Sequence, residues 1–133
     1  MYFGGESGYM RNLIERLAFP ALRYDATFSS VAEKHFPVAF VYTMNRPLGQ
    51  LDSLGYPEKL GIVRNSVGHL LGCGEPEALY VCDTWQFDDY EKYDACGVDV
   101  IQKQATRASQ FPRDCQAARE LGMRLAKSLK PGK

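Results

Sequence analysis

What the sequence lacks removes several classes of function. It has no surplus of charge: 16 Lys and Arg stand against 16 Asp and Glu. The chain therefore offers no basic field for nucleic acid or an anionic membrane surface. Histidine is scarce (His35 and His69), and Cys73, Cys82, Cys96 and Cys115 are scattered without a CxxC pair. The close ligand spacing of a zinc site is thus absent, and the thiols fit a reducing compartment. No apolar run approaches the roughly 20 residues of a membrane span. The N-terminus has no basic region followed by an apolar core, so no signal peptide is expected. A cytoplasmic location is the expectation. There are no internal repeats and no low-complexity tract. With 45% apolar and 24% charged residues over 133 positions, residues 1–133 form a single domain large enough for a hydrophobic core.

One stretch organises the rest, Phe36-Pro37-Val38-Ala39-Phe40-Val41-Tyr42-Thr43-Met44. From Val38 to Tyr42 it carries no polar group but a terminal hydroxyl, so both faces of an extended segment are apolar. That pattern predicts an interior strand of a parallel sheet, covered by helices on both faces, with Pro37 tolerated at its entry. A second strand is expected over Ala78–Cys82. A helix capped by Ser7 is expected with Met10, Leu13, Ile14, Leu17 and Ala18 at helical spacing, closed by Pro20. Another begins at Pro57 with the stripe Leu60, Val63, Val67, Leu70 and Leu71, ending at Gly72 or Gly74. Val100–Gln110 reads as a helix. A last one, from about Pro112 to Leu129, carries Cys115, Ala118, Leu121, Leu125 and Leu129 on one face. Ala21–Phe36 reads as a long connection. The order helix, strand, helix, strand, helix calls for parallel strands and an α/β fold.

Three loops then lie where open parallel sheets place ligands: Tyr2–Gly8, Thr43–Pro47 and Asp83–Tyr93. The first feeds a helix N-terminus, where free N–H groups favour an acceptor or anion. Tyr2, Phe3, Trp85 and Phe87 offer flat apolar surface suited to a planar ring, or else plug the ends of the sheet. Ser66 and His69 share a helix without a third group to orient them, so a hydrolase is the weakest reading. Glu6 reads as a solvent-facing turn carboxylate.

The run from Tyr2 to Arg16, Tyr-Phe-Gly-Gly-Glu-Ser-Gly-Tyr-Met-Arg-Asn-Leu-Ile-Glu-Arg, resembles a segment of the NADPH-dependent FMN reductase family of flavodoxin-like proteins. Asp83-Thr84-Trp85-Gln86-Phe87-Asp88-Asp89-Tyr90 resembles the loop after that family's last strand. Order and spacing agree from Tyr2 to the C-terminal helix. The resemblance implies a partial flavodoxin-like three-layer α/β/α fold with parallel strands, lacking the N-terminal strands. It implies an FMN cofactor whose ring lies along Tyr2, Phe3, Gly4, Gly5 and Ser7, with Asn45 and Trp85 nearby. NAD(P)H is the implied electron donor, exchanged with a small-molecule acceptor. Hydride transfer is the flavin's chemistry, so no catalytic acid, base or nucleophile is nominated. The resemblance starts in the middle of the family's domain, without the Ser/Gly-rich loop that binds the FMN phosphate. The sequence is accordingly expected to be the C-terminal part of such a protein, and weak FMN binding is expected. One edge of Val38–Thr43 is expected to be open and to pair with a second copy as a homo-oligomer. The competing expectation is a non-catalytic half-domain that self-associates or binds a protein partner through that edge.

Overall fold

The computed structural model describes residues 1, 3–33 and 35–129. Ser7 begins the first helix: its backbone is extended and its hydroxyl accepts from the Met10 N–H at 3.3 Å. This bond satisfies one of the orphan donors of α1 (Gly8–Ala18). Pro20 ends it in a short 3₁₀ turn, Phe19–Ala21. Strand β1 follows (Ala39–Thr43), then α2 (Tyr56–Leu70), β2 (Glu77–Val81), α3 (Val100–Ser109) and α4 (Phe111–Ser128). Asp99 caps α3 by accepting from Gln102 N at 2.9 Å. No described helix is long and apolar enough to cross a membrane.

The two strands pair in parallel, from Ala39 opposite Glu77 to Thr43 opposite Val81. The fold is thus a mixed α/β arrangement on a two-stranded parallel sheet. Phe40 and Tyr42 point to one face, where Tyr42 packs with Met44, Leu51 and Leu60. Phe40 and Val38 meet Ala18 of α1 with Val67 and Leu71 of the α2 end. Alternation sends Leu79 and Val81 to the opposite face, which α4 approaches. The Phe40 and Tyr42 rings stack along β1 at 5.7 Å between centroids, and Tyr42 stacks on Tyr80 of β2 at 5.4 Å, a cross-strand pairing that adds to area burial.

Several expectations need correction. β1 pairs on one side only, so among the described residues it is an edge strand rather than an interior one, and Val41 is 49% exposed. Its span begins at Ala39 rather than Val38, and β2 ends at Val81 rather than Cys82. On α1 only Ala18 and Ile14 turn to the core, whereas Met10, Leu13 and Leu17 are exposed. The apolar period was real but its centre faces outward. On α4 the inward face carries Asp114 and Leu121, with Cys115 and Leu129 exposed.

The connection Ala21–Phe36 is organised rather than loose. The Asp25 carboxylate accepts from the backbone and hydroxyl groups of Thr27 and Ser29, which hold its pKa well below the ordinary carboxylate range. Its described residues dock on the C-terminal end of α2. Ser30 Oγ donates to Leu70 O, and His69 Nε2 donates to Phe28 O at 2.8 Å. His35 Nδ1 donates to Gly72 O at 3.0 Å. Gly72 has φ +66°, and a Cβ there would fall 1.6 Å from that imidazole, so the contact requires glycine. The described residues of this segment therefore cap α2. His69 is spent on it, and Ser66 donates to Ile62 O within its own helix, which disposes of them as a hydrolytic pair.

Tyr42 is 4% exposed. Burial pushes its phenol up to about 12, opposed by the Arg64 charge and reinforced by Tyr80 and Glu6. The unfolded chain ionises this group more readily, near its ordinary value of 10.0. Tyr42 thus leaves stability level below that pH and makes it fall as pH rises from there through about 12. Denaturant midpoints measured from pH 9 to 11.5 are expected to decline more steeply for the parent than for Tyr42→Phe. Identical slopes would contradict the burial of this phenol.

Candidate functional site

The loops that follow the two strands are bonded to each other. Asp83 N donates to Arg46 O at 2.9 Å, and Thr84 donates to Met44 O through its N–H at 3.0 Å and its hydroxyl at 3.1 Å. The N-terminal segment joins them where the Met1 amino group donates to Thr43 O at 2.9 Å. Together these loops and the outer edge of β1 bound an open cleft of about 870 Å³.

Of the residues read from the sequence, Phe3, Gly4, Ser7, Asn45 and Trp85 all line this cleft. Gly5 sits in the same turn but does not line it. Tyr2 lies outside the described residues. Phe3 is fully exposed and holds φ +48°, an uncommon conformation for a bulky residue that marks a constrained turn. Gly4 follows at φ +76°, buried, and a Cβ added to it would stand 2.9 Å from the Tyr56 ring. Glycine is needed there on both counts.

Glu6 departs from expectation. Its side chain is only 12% exposed; Oε2 is 3.8 Å from Arg11 Nη1, and Oε1 is buried without a hydrogen-bond partner among the described residues. A buried acceptor left unpaired is costly, and it marks where a donor would be welcome. No residue near Glu6 in sequence signals this burial, which arises only in the folded chain.

Trp85 presents one edge to Tyr90, at 4.8 Å between centroids, while Arg107 lies 5.5 Å over its ring. Phe87 instead stacks on Tyr93 at 4.2 Å and stays out of the cleft. The aromatic loop thus divides: Trp85 belongs to the cleft and Phe87 to the loop's own packing.

The loop after β2 is held from below by a residue the sequence reading missed. Lys103 on α3 is 5% exposed, donating to Asp83 Oδ1 at 2.6 Å and to Thr84 O at 3.2 Å. Thr106, one turn on, donates to Asp83 Oδ2 at 3.0 Å. Asp83 itself holds φ +52°, a strained position retained because these contacts fix it. A cavity of about 130 Å³ lies beside this cluster, between Asp83, Thr106 and Asp114. The neighbouring Cys82 thiol is pushed up by burial and by the Asp114 and Asp83 carboxylates, so it is not primed as a nucleophile. Among the described residues no group of three or more His, Cys, Asp or Glu is placed to hold a metal ion.

No family model, curated protein or solved structure matches this chain.

Among the described residues the arrangement offers a partly apolar cleft lined by the Glu6 carboxylate, amides at Asn45 and Gln86, and two cationic groups, Arg46 and the Met1 amino group. No side chain in it is arranged as a nucleophile with its base. The Lys103 cluster generates a stability prediction. Lys103→Met takes the cation from the largely buried Asp83 carboxylate and leaves it Thr106 alone, which is expected to cost about 3 kcal/mol in urea unfolding. Adding Asp83→Asn, which tolerates positive φ, is expected to recover most of that loss. Two losses that simply add would contradict the pairing.

Proposed function

We propose that the chain is the ring-binding part of a flavodoxin-like, FMN-dependent NAD(P)H oxidoreductase. The observation that carries the reading is convergence. Phe3–Ser7, Met44–Arg46 and Thr84–Gln86, far apart in sequence, bound one cleft at the carboxyl ends of parallel strands, where open α/β sheets bind ligands. Helices approach both faces of the sheet, in keeping with a three-layer arrangement.

The residues present suit the ring of a flavin better than its phosphate. An isoalloxazine edge carries one ring N–H between two carbonyls. The Glu6 carboxylate lines the cleft as an acceptor, and the Asn45 and Gln86 amides supply donors there. Phe3 and Trp85 supply flat surface. Gly4 keeps the Tyr56 side of the turn clear, since any side chain would collide with that ring. For a phosphate the described lining offers Arg46 and the Met1 amino group, which already donates to Thr43 O, and at the α1 N-terminus Ser7 already takes one free N–H, short of the several basic groups such a dianion commonly finds. When bound, the flavin supplies the hydride chemistry, with NAD(P)H as donor. The chain's own part is to bind, orient and shield the ring in a cytoplasmic setting.

A second reading, a non-catalytic half-domain that associates through the β1 edge, is favoured by β1 having a strand neighbour on one edge only among the described residues. Flavin titration separates the two. Trp85 is the single tryptophan and lines the cleft, so its fluorescence reports directly. FMN and riboflavin are expected to quench it alike and weakly, with Kd in the micromolar range or above, about −8 kcal/mol or less favourable. Gly4→Val is expected to weaken both by about tenfold or more, roughly 1.4 kcal/mol. No response to either flavin would contradict the proposal, and strong selectivity for FMN would contradict the weak phosphate side.

A further inference from the structure

Between the loop that follows β2 and the junction of α3 with α4 lies the cavity of about 130 Å³. Most of the polar groups on its wall are already engaged. The Asp83 carboxylate takes both Lys103 and Thr106, and the Thr84 hydroxyl donates to Met44 O. Two groups of opposite charge remain without an ionic partner. Asp114 is 9% exposed, and its Oδ1 accepts from Gln110 Nε2 at 2.8 Å. Among the described residues its Oδ2 accepts no hydrogen bond, and no cation pairs with the carboxylate. A carboxylate so far from water is costly to leave without a counter-charge. It also lies close enough to Cys82 to help keep that thiol protonated.

Arg107 reaches the same cavity from the last turn of α3. Its guanidinium lies 5.5 Å over the Trp85 ring. Stacking of this kind fixes the plane of the fork and leaves its N–H donors available at the edges. Among the described residues Arg107 forms no ion pair, with Asp114 or any other carboxylate. Phe111, Trp85 and Cys82 give the rest of the wall an apolar character.

We propose that this cavity binds a small neutral α-amino acid as its zwitterion, the ammonium on Asp114 Oδ2 and the carboxylate on the Arg107 fork. Both contacts are charge-assisted, and the second matches the planar geometry in which guanidinium holds a carboxylate. A plain amine would leave Arg107 without a partner, and a plain carboxylic acid would set its charge against Asp114. The zwitterion meets both groups and brings no net charge into the cavity. Size narrows the choice further. A cavity of about 150 Å³ accommodates benzene, so this one takes about six to eight non-hydrogen atoms. Alanine, serine, proline and valine fall in that range, whereas aromatic and long charged amino acids do not. Trp85 borders both this cavity and the cleft, but the assignment does not depend on what the cleft holds.

Isothermal titration calorimetry of the full chain with L-alanine, L-serine, L-proline and L-valine tests the proposal. It avoids Trp85 fluorescence, which a ligand in the cleft would also alter. At least one of the four is expected to bind with Kd below about 1 mM. The same amino acid with its carboxylate amidated, or with its amine acetylated, is expected to bind at least tenfold more weakly. Asp114→Asn keeps the side-chain shape and an oxygen for Gln110, and is expected to weaken binding tenfold or more. Arg107→Gln is expected to do the same, with Arg107→Lys in between because it keeps the charge without the fork. Far-UV circular dichroism checks that the variants fold. Should Asp114→Asn lose its helix signal, Arg107→Gln, at an exposed position, decides together with the two capped ligands. No saturable binding of any of the four, capped forms that bind as well as the zwitterion, or binding unchanged by these substitutions would overturn the proposal.

Discussion

The parallel ladder between β1 and β2 is the constraint on which the rest of this structure depends. Five residues of each strand pair in register. That register sets which side chains meet α1 and α2, which turn toward α4, and where the strand-end loops come together. Parallel pairing is possible only because α2 carries the chain back from the end of β1 to the start of β2. The helix is in turn held by what the strands present. Leu60, the most deeply buried large side chain, packs on Tyr42 and Met44, and Val67 and Leu71 pack with Ala18 beside Phe40 and Val38. Since the sheet has two strands among the described residues, helices supply most of the burial, and β1 has a strand neighbour on one edge only.

The same ladder fixes the cleft. Both strands end at one side, so their loops are brought within hydrogen-bond reach, and the Met44, Thr84, Arg46 and Asp83 backbone groups satisfy one another. Lys103 then anchors the second loop from beneath with a charge-assisted bond, which is stronger than a neutral one. The first loop is held by its contact with Thr43 and by the close approach of Gly4 to Tyr56. Rigid support of this kind suits a site whose work is to position a planar group. It leaves Glu6 buried with an acceptor unspent, a local cost of the sort that tolerated functional positions carry.

Local signals in the sequence proved reliable and non-local ones did not. Ser7 as a cap, Pro57 in the first turn of α2 and the apolar runs of both strands each act through neighbours within a few residues, and each element stands within one or two residues of expectation. The number of strands flanking β1 is a property of the whole fold, and a run apolar on both faces suggested an interior place that the strand does not hold. The exposed Leu13 and Leu17 show the same limit: a helical period says that a face is apolar without saying that anything covers it. Lys103 was invisible because its partner Asp83 lies 20 residues away, and nothing near Lys103 in sequence distinguishes it from a surface lysine. The cleft was more legible, since the rule that ligands gather at strand ends turned element order into a list of loops, of whose residues Phe3, Gly4, Ser7, Asn45 and Trp85 converge while Phe87 packs within its own loop.

The central claim is that, among the described residues, β1 pairs with a strand along one edge only, with its amides alternating between the two edges. Amide hydrogen exchange resolved by NMR tests this most directly, at dilution low enough to hold the chain monomeric. The amides of Phe40, Tyr42 and Met44 are expected to exchange slowly, while those of Ala39, Val41 and Thr43 exchange quickly. Equal protection of both sets at that dilution would contradict the account.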